Sequence, residues 1–142
     1  NKSTHFNQGF ATVEYLAASF LDMDWHTLKE AKEVDAESFE NESMKRIGMI
    51  PEIVVRYKSP YFQHIFSGGY SAGYYSYIWA EVLDADAYES FKENGLFNRD
   101  LANSFRKNIL ERGSIEDAMT MYVKFKGREP KIDALLKKRG LK

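Results

Sequence analysis

The sequence contains no cysteine, which excludes disulfide bonds, thiolate nucleophiles and cysteine zinc sites. A chain without cysteine fits a reducing or an oxidising compartment, so a cytoplasmic and a periplasmic location both stay open. No run of about 18 or more apolar residues occurs, and no membrane span is expected. The polar start lacks the basic and then apolar order of a signal peptide, but a chain that starts within a longer protein would look the same.

The sequence also lacks an excess of charge of either sign. Lysine and arginine together number 20, against 21 aspartates and glutamates, so the net charge is −1. Binding to nucleic acid usually requires a basic excess or a basic stripe, because the phosphate backbone dominates the affinity. No nucleic-acid partner is therefore expected.

A zincin metal site is missing as well. The only histidines are His5, His26 and His64, far apart in sequence, and no His-Glu-x-x-His motif occurs. Asp22, Asp24 and His26 could suggest a metal site, but on a helix Asp24 would point away from the other two. The i, i+4 pair of Asp22 and His26 more often forms a solvated hydrogen bond. No metal ligand is predicted within this chain.

What the sequence does contain is typical of one globular, all-α domain. Of its 142 residues, 44% are apolar and 29% are charged, and neither a repeat nor a flexible linker divides them, so residues 1–142 are interpreted as a single unit. Apolar residues recur at helical spacing, with an extended connector at about residues 49–56. The predicted helices cover residues 8 to about 31, 36–47 after an Asp35 cap, a short turn that follows Ser59-Pro60 and ends before Gly68, about 71–94, a segment from Asn98 to Gly113, one opened by a Ser114–Asp117 capping box, and about 132–139.

The aromatic content, at 15% with 9 tyrosines, is the unusual feature. Tyr70, Tyr74 and Tyr77 fall at roughly 0°, 40° and −20° on a helical wheel, which predicts one narrow stripe. Phenols are neutral donors at neutral pH and can stabilise the oxyanion that forms from a peptide carbonyl. From the pattern alone, an ordinary amphipathic core remains the simpler interpretation. The neighbouring residues assigned to the core are Tyr75, Ile78, Trp79, Val82 and Leu83.

His64 stands shortly before the pair Gly68 and Gly69. A lone histidine is more often a structural residue than a catalyst. Adjacent glycines form a loop or hinge, however, and loops of that kind can close over a substrate and complete a site. The residues by themselves thus predict a helical domain with a candidate groove lined by tyrosines.

One stretch is far more specific. Residues 61–86 read YFQHIFSGGYSAGYYSYIWAEVLDAD and closely resemble a segment of the zinc oligopeptidase family that includes thimet oligopeptidase, oligopeptidase A and peptidyl-dipeptidase Dcp. The resemblance covers essentially the whole chain and is strongest to the Dcp-type members. The further matching segments are Gln8-Gly9-Phe10, residues 21–26, Phe105-Arg106-x-x-Ile109-Leu110, Gly113-x-x-Glu116-Asp117, Gly127-Arg128-x-Pro130 and Arg139-Gly140-Leu141.

The resemblance implies a mostly helical metallopeptidase with a deep channel that admits short peptides. In that family two histidines of His-Glu-x-x-His and a later glutamate hold the zinc, and the motif glutamate activates water. By the same resemblance these residues precede this chain in a full-length enzyme. The chain would then be a C-terminal piece of the catalytic domain, inactive alone, whose partners are short peptides and the missing N-terminal part.

Residue by residue, the resemblance implies the substrate-facing side of the active site. His64 matches a histidine that contacts the substrate backbone, and Tyr70 and Tyr77 match tyrosines that lean toward the scissile carbonyl. These three are the implied catalytic residues. The implied substrate-binding residues are His64, Gly68, Gly69, Tyr70, Tyr74 and Tyr77, with the two glycines as a flexible loop.

The loop between His64 and Tyr70 has the length found in Dcp-type members and is one residue longer than in thimet-type members. This favours release of dipeptides from peptide C-termini over internal cleavage. Two alternatives remain: an all-α module that binds a partner helix or peptide without catalysis, and a family member that has lost catalysis.

Overall fold

A computed structural model describes residues 2–142 and confirms the all-α prediction, since the described residues contain no strand. Short 3-10 turns at Lys2–His5 and Ser59–Tyr61 and a π-helical turn at Arg106–Leu110 supplement the α-helices. No described helix combines the length and the apolar character needed to cross a membrane. The α-helices are α1 Gln8–His26, α2 Ala36–Arg46, α3 Gln63–Phe66, α4 Ser76–Asn94, α5 Arg99–Phe105, α6 Ala118–Lys126 and α7 Asp133–Lys138.

The chain contains two compact units, the first ending at Ile78 and the second formed by Trp79–Lys142. Each has its own cluster of buried apolar side chains. Whether residues 1–142 act as a single functional unit stays a prediction.

Local capping signals explain where several helices begin. Asp35 accepts a hydrogen bond from the Ser38 amide at 2.8 Å, and Asn98 accepts one from the Leu101 amide at 3.0 Å, as predicted. The predicted capping box before α6 was wrong in one respect. Asp117, and not Ser114, is the N-cap, and its carboxylate accepts from the Thr120 amide at 2.9 Å.

The core of the first unit packs α1 against α2 and the irregular segment that follows. Its buried members are Ala17, Ala18, Leu21, Met44, Val55, Phe62, Ile65 and Tyr74. The apolar residues that recur at helical spacing along α1 are only partly buried, because Phe10, Val13 and Phe20 are exposed in this chain. The helix also ends at His26 and not near Ala31, and the residues after it are exposed.

A buried carboxylate organises the second unit. Asp86 on α4 receives two hydrogen bonds from the Arg128 guanidinium, at 2.8 and 3.0 Å, and one from the Tyr122 hydroxyl at 2.7 Å. Burial raises the pKa of the Asp86 carboxyl, but the hydrogen bonds from Arg128 and Tyr122 outweigh burial and hold this pKa below its ordinary value. The nearby apolar core contains Ala87, Tyr122 and Phe125, flanked by Leu83, Phe91, Leu101, Phe105 and Ile109.

Replacing Asp86 should therefore destabilise the chain strongly. We expect Asp86→Ala to lower the free energy of unfolding by about 2–3 kcal/mol, because Tyr122 and Arg128 both lose their partner. The control is Asp84→Ala, which removes a carboxylate that is 70% exposed and pairs with Lys138; it should cost less than about 1 kcal/mol. Urea unfolding followed by circular dichroism measures both values.

The same unfolding experiment can be repeated as a function of pH. A carboxyl whose pKa is lower in the folded state stabilises the fold above its unfolded pKa of about 3.9, and this stabilisation disappears as the pH falls through the folded pKa. The difference in stability between the unsubstituted chain and Asp86→Asn should thus be constant near neutral pH and shrink below about pH 4. A difference that did not change with pH would contradict the assigned charge interaction.

Candidate active site

The structure brings the three predicted tyrosines together. The Tyr70 and Tyr77 rings stack with their centroids 4.9 Å apart, and the Tyr74 and Tyr77 rings lie 5.1 Å apart. Tyr74 is buried, with 4% of its surface exposed, whereas Tyr77 is 36% exposed. Tyr74 thus belongs to the core, and Tyr70 and Tyr77 extend the same cluster toward the surface.

The helical stripe that predicted this cluster was wrong in its geometry. Helix α4 begins at Ser76, so neither Tyr70 nor Tyr74 is helical: Tyr74 lies in the turn at residues 71–75, and Tyr70 lies just before it. In that turn the Gly73 amide donates to the Tyr70 carbonyl at 2.9 Å, and the Ser76 amide donates to the Gly73 carbonyl at 3.0 Å. The turn, and not helical periodicity, places the three rings side by side.

The later helix start also changes which residues are buried. Tyr75 is 51% exposed and Trp79 is likewise exposed in this chain, so their assignment to the core was wrong. Val82 is buried, as predicted, and Ile78 and Leu83 are half-buried. A helical wheel assumes a constant 100° per residue, and the turn at residues 71–75 breaks that phase for Tyr75, which lies outside α4.

His64 lies on α3 beside the tyrosine cluster. Its ring centroid is 6.3 Å from that of Tyr70, 6.0 Å from that of Tyr74 and 5.0 Å from that of Tyr57. The Nδ1 atom is buried and has no hydrogen-bond partner among the described residues. Buried polar atoms usually have a hydrogen-bond partner within the fold. No structural hydrogen bond at Nδ1 therefore explains why a histidine occupies this position.

The glycine pair ends α3 and returns the chain toward His64. The Gly68 amide donates to the Gln63 carbonyl at 2.9 Å, and the Tyr70 amide donates to the His64 carbonyl at 3.0 Å. A Cβ atom on Gly68 would lie only 2.8 Å from the His64 Cα, and Gly69 has a φ of 82°. Close approach at one position and the left-handed backbone at the other explain why both are glycine.

A side chain at Gly68 should consequently disturb the loop. We expect Gly68→Ala to lower the free energy of unfolding by roughly 1–3 kcal/mol, because the new methyl group overlaps the His64 backbone. Gly73→Ala is the matched control: its Cβ would meet its nearest neighbour at an ordinary 3.5 Å. The control should be neutral or slightly stabilising, and equal losses for both variants in urea unfolding would show that the overlap is unimportant.

The pKa values of Tyr74 and Tyr77 are raised, so both hydroxyls are held in their protonated form. A hydrogen bond between the Tyr70 and Tyr77 side chains, assisted by partial burial, raises the pKa of Tyr77 to about 12. Burial raises the pKa of Tyr74, and the neighbouring Tyr57 phenol adds to the effect. Tyr74 and Tyr77 therefore remain neutral donors over the whole range near neutral pH.

Removal of the Tyr70 hydroxyl should lower the pKa of Tyr77. We expect Tyr70→Phe to lower the pKa of Tyr77 from about 12 toward the ordinary value of about 10, because the hydrogen bond with Tyr70 is the main cause of the shift. NMR of tyrosine labelled at the ζ carbon, recorded between pH 8 and 13, measures this titration. Tyr75→Phe serves as the control, and an unchanged Tyr77 pKa in Tyr70→Phe would contradict the hydrogen bond.

Asp22 is the site residue that the sequence did not reveal. It was interpreted as half of a solvated pair with His26, but its side chain is 0% exposed. Its carboxylate accepts from the Ala72 amide at 2.9 Å and from the Tyr74 amide at 2.8 Å, and His26 Nδ1 lies 2.8 Å from Oδ1. The signal that could have indicated its burial is its position four residues after Ala18, on the same face of the helix. Ala18 is also buried.

Asp24 has different partners, so the carboxylates of α1 do not converge. Its carboxylate accepts from the Ser43 hydroxyl at 2.5 Å and pairs with Arg46. Within residues 2–142, no group of three histidine, cysteine, aspartate or glutamate side chains could hold a metal ion. The described part of the chain thus does not form a metal centre by itself.

A second buried carboxylate fixes the segment that leads to His64. Glu40 accepts from the Ser59 amide at 2.9 Å and from the Ser59 hydroxyl at 3.1 Å, and it pairs with Lys58 at 2.9 Å. The Trp25 indole donates to the same Ser59 hydroxyl at 2.9 Å. Helices α1 and α2 together hold the 3-10 turn at Ser59–Tyr61, from which the chain enters α3.

A family model and individual related proteins both match this chain over nearly its whole length. The sequence model of Peptidase family M3 matches residues 1–141. Dipeptidyl carboxypeptidase of Salmonella typhimurium is 42% identical over 99% of this chain and 21% of its own length, and that of Escherichia coli is 44% identical over 96% and 20%. Oligopeptidase A of Escherichia coli is 56% identical over 57% of this chain and 12% of its own length. The chain spans about a fifth of the length of the first two relatives.

Proposed function

Because this chain belongs to peptidase family M3, we propose that it forms the substrate-contacting, C-terminal part of the catalytic domain of a peptidase that hydrolyses short peptides. One observation carries the proposal: the paired Tyr70 and Tyr77 phenols, 4.9 Å apart between ring centroids, lie at a surface beside His64. His64, Tyr70 and Tyr77 are the proposed catalytic residues.

The proposed chemistry follows from the ability of a phenol to donate a hydrogen bond. As water attacks a peptide bond, the carbonyl oxygen gains negative charge, and donors aimed at that oxygen stabilise the transition state more than the bound substrate. Tyr77, whose pKa is raised to about 12, keeps its proton for such a hydrogen bond. Removal of one donor of this type costs about 2.7–4 kcal/mol in the transition state.

The remaining binding residues position the peptide in this proposal. His64 contacts the substrate backbone through its imidazole, which lies beside Tyr70. Gly68 and Gly69 form the loop that carries Tyr70, and Tyr74 supports the tyrosine wall from the core. A loop of this kind can move onto substrate and exclude water from the reacting bond.

Zinc belongs to the proposed enzyme but not to this chain. Within the described residues no suitable ligand group exists, so the metal would be bound by residues that lie elsewhere in the full-length polypeptide. When bound there, zinc would supply a Lewis acid and an activated water. The 142 residues alone should accordingly be inactive.

We further propose that the enzyme releases dipeptides from peptide C-termini. The support is the two relatives named dipeptidyl carboxypeptidase, which match nearly the whole chain. The loop between His64 and Tyr70 also has the length of the Dcp-type members. A peptide with an amidated C-terminus separates the two modes, since amidation should block dipeptide release and leave internal cleavage unaffected.

The central test is Tyr77→Phe in the full-length protein. We expect kcat to fall about 10²–10³-fold with little change in KM, because the lost donor acts in the transition state. Tyr75→Phe is the matched control, because Tyr75 is an exposed neighbour outside the stacked cluster. Hydrolysis of a short fluorogenic peptide gives both constants, and an unchanged kcat in Tyr77→Phe would refute the role.

The same assay should compare the full-length protein with the 142-residue chain. Activity that is confined to the full-length protein and abolished by a chelator supports the proposed division of the active site. If neither chain hydrolyses peptides, a non-catalytic binding module or an inactive family member becomes the better explanation.

A further inference from the structure

Asp22 contacts the turn that carries the tyrosines from 50 residues away in sequence. Its two carboxylate oxygens each accept one backbone hydrogen bond, Oδ1 from the Ala72 amide and Oδ2 from the Tyr74 amide. The side chain is fully buried on α1. Such charge-assisted hydrogen bonds are stronger and shorter than neutral ones, and they fix the positions of both amides.

The backbone of this turn is one that needs external support. Ala72 has a φ of 51°, in the left-handed region that residues with a Cβ rarely adopt. A conformation of this kind persists only when the surrounding structure determines it, and it occurs often at functional sites. The amide of Ala72 is itself one of the two groups that bind Asp22.

His26 supplies a further donor to the buried carboxylate. Its Nδ1 lies 2.8 Å from Asp22 Oδ1 and 2.9 Å from the Asp22 carbonyl oxygen, and both of these atoms are acceptors. The imidazole therefore donates from Nδ1 toward Asp22. A buried carboxylate without donors would be costly, so this contact helps to satisfy Asp22 inside the unit.

The turn transmits the position of Asp22 to the hydroxyl groups. Tyr74 is bound directly through its amide, the Gly73 amide bonds the Tyr70 carbonyl, and the Tyr77 amide bonds the Tyr74 carbonyl at 3.3 Å. A shift of residues 72–74 would thus move the phenols on both sides of it.

We infer that Asp22, oriented by His26, is a positioning residue: its carboxylate holds the turn at residues 71–75 so that Tyr70, Tyr74 and Tyr77 stay clustered. The effect on catalysis rests on the proposed function, whereas the effect on the turn does not. Asp22 contacts no reacting atom in this inference and acts through the tyrosines alone.

The first test measures the turn itself in the full-length protein. Hydrogen–deuterium exchange followed by mass spectrometry should show amides of residues 70–77 exchanging about tenfold faster or more in Asp22→Asn, because the turn opens more easily. Asp24→Asn is the matched control, since Asp24 lies on the same helix and binds Ser43 and Arg46 instead. Unchanged exchange at residues 70–77 in a folded Asp22→Asn protein would overturn the inference, whatever the activity.

The second test uses peptide hydrolysis. Asp22→Asn should lower kcat by about 10²-fold with KM changed less than about threefold, because misplacing a catalytic group by about 1 Å has such an effect. In the double variant Asp22→Asn/Tyr77→Phe, the loss should be smaller than the product of the two single losses, since both changes disable the same group. A fully multiplicative loss would overturn the coupling and leave only a general structural role.

A second variant covers the case in which Asp22→Asn does not fold. His26→Gln keeps the carboxylate and removes the imidazole that donates to it, so the same exchange increase at residues 70–77 is expected in smaller measure. Unchanged exchange there would again overturn the inference. If the unsubstituted protein lacks peptidase activity, or Tyr77→Phe has no effect, the proposed function fails, and the exchange data still decide the role of Asp22.

Discussion

The buried carboxylate of Asp22 is the constraint on which the candidate site depends. A fully buried negative charge is tolerated only when hydrogen bonds and a partner surround it, and here two backbone amides and His26 do so. Those amides belong to a turn in which Ala72, a residue other than glycine, adopts the left-handed conformation. The need to satisfy one charge on α1 therefore fixes a backbone segment that local preference would not select.

Aromatic packing, together with the Asp22 carboxylate, holds the tyrosine cluster in place. Tyr57 stacks on Phe62 at 5.1 Å, and Phe62 meets Tyr74 edge-on at 5.0 Å, so these rings form a rigid base beneath the more exposed phenols. His64 lies against the same rings without a partner for Nδ1 among the described residues. Rings contribute large contact area with few rotatable bonds, which holds the hydroxyls of Tyr70 and Tyr77 in place at a low entropic cost.

Buried carboxylates also hold irregular segments in place elsewhere in the chain. Glu40 binds the amide and hydroxyl of Ser59 and thus holds the turn before α3. In the second unit, Asp86 binds the Arg128 guanidinium just after α6 ends at a left-handed Gly127. In each case a helix supplies the acceptor, and an irregular segment supplies at least one donor. Packing of apolar faces brings helices together, but it does not specify the path of the connections, and these hydrogen bonds do.

The sequence by itself determined the all-α class and the helix starts at Asp35 and Asn98, because periodicity and capping depend on residues within about four positions. It also indicated the tyrosine cluster, His64 and the two glycines, although the helical wheel gave the wrong reason for the cluster. Only the tertiary structure decided that α4 begins at Ser76, that Tyr74 is buried while Tyr75 is exposed, and that Asp22 holds their turn. Those outcomes depend on contacts between residues about 50 positions apart, and no local pattern records where a buried carboxylate will find its donors.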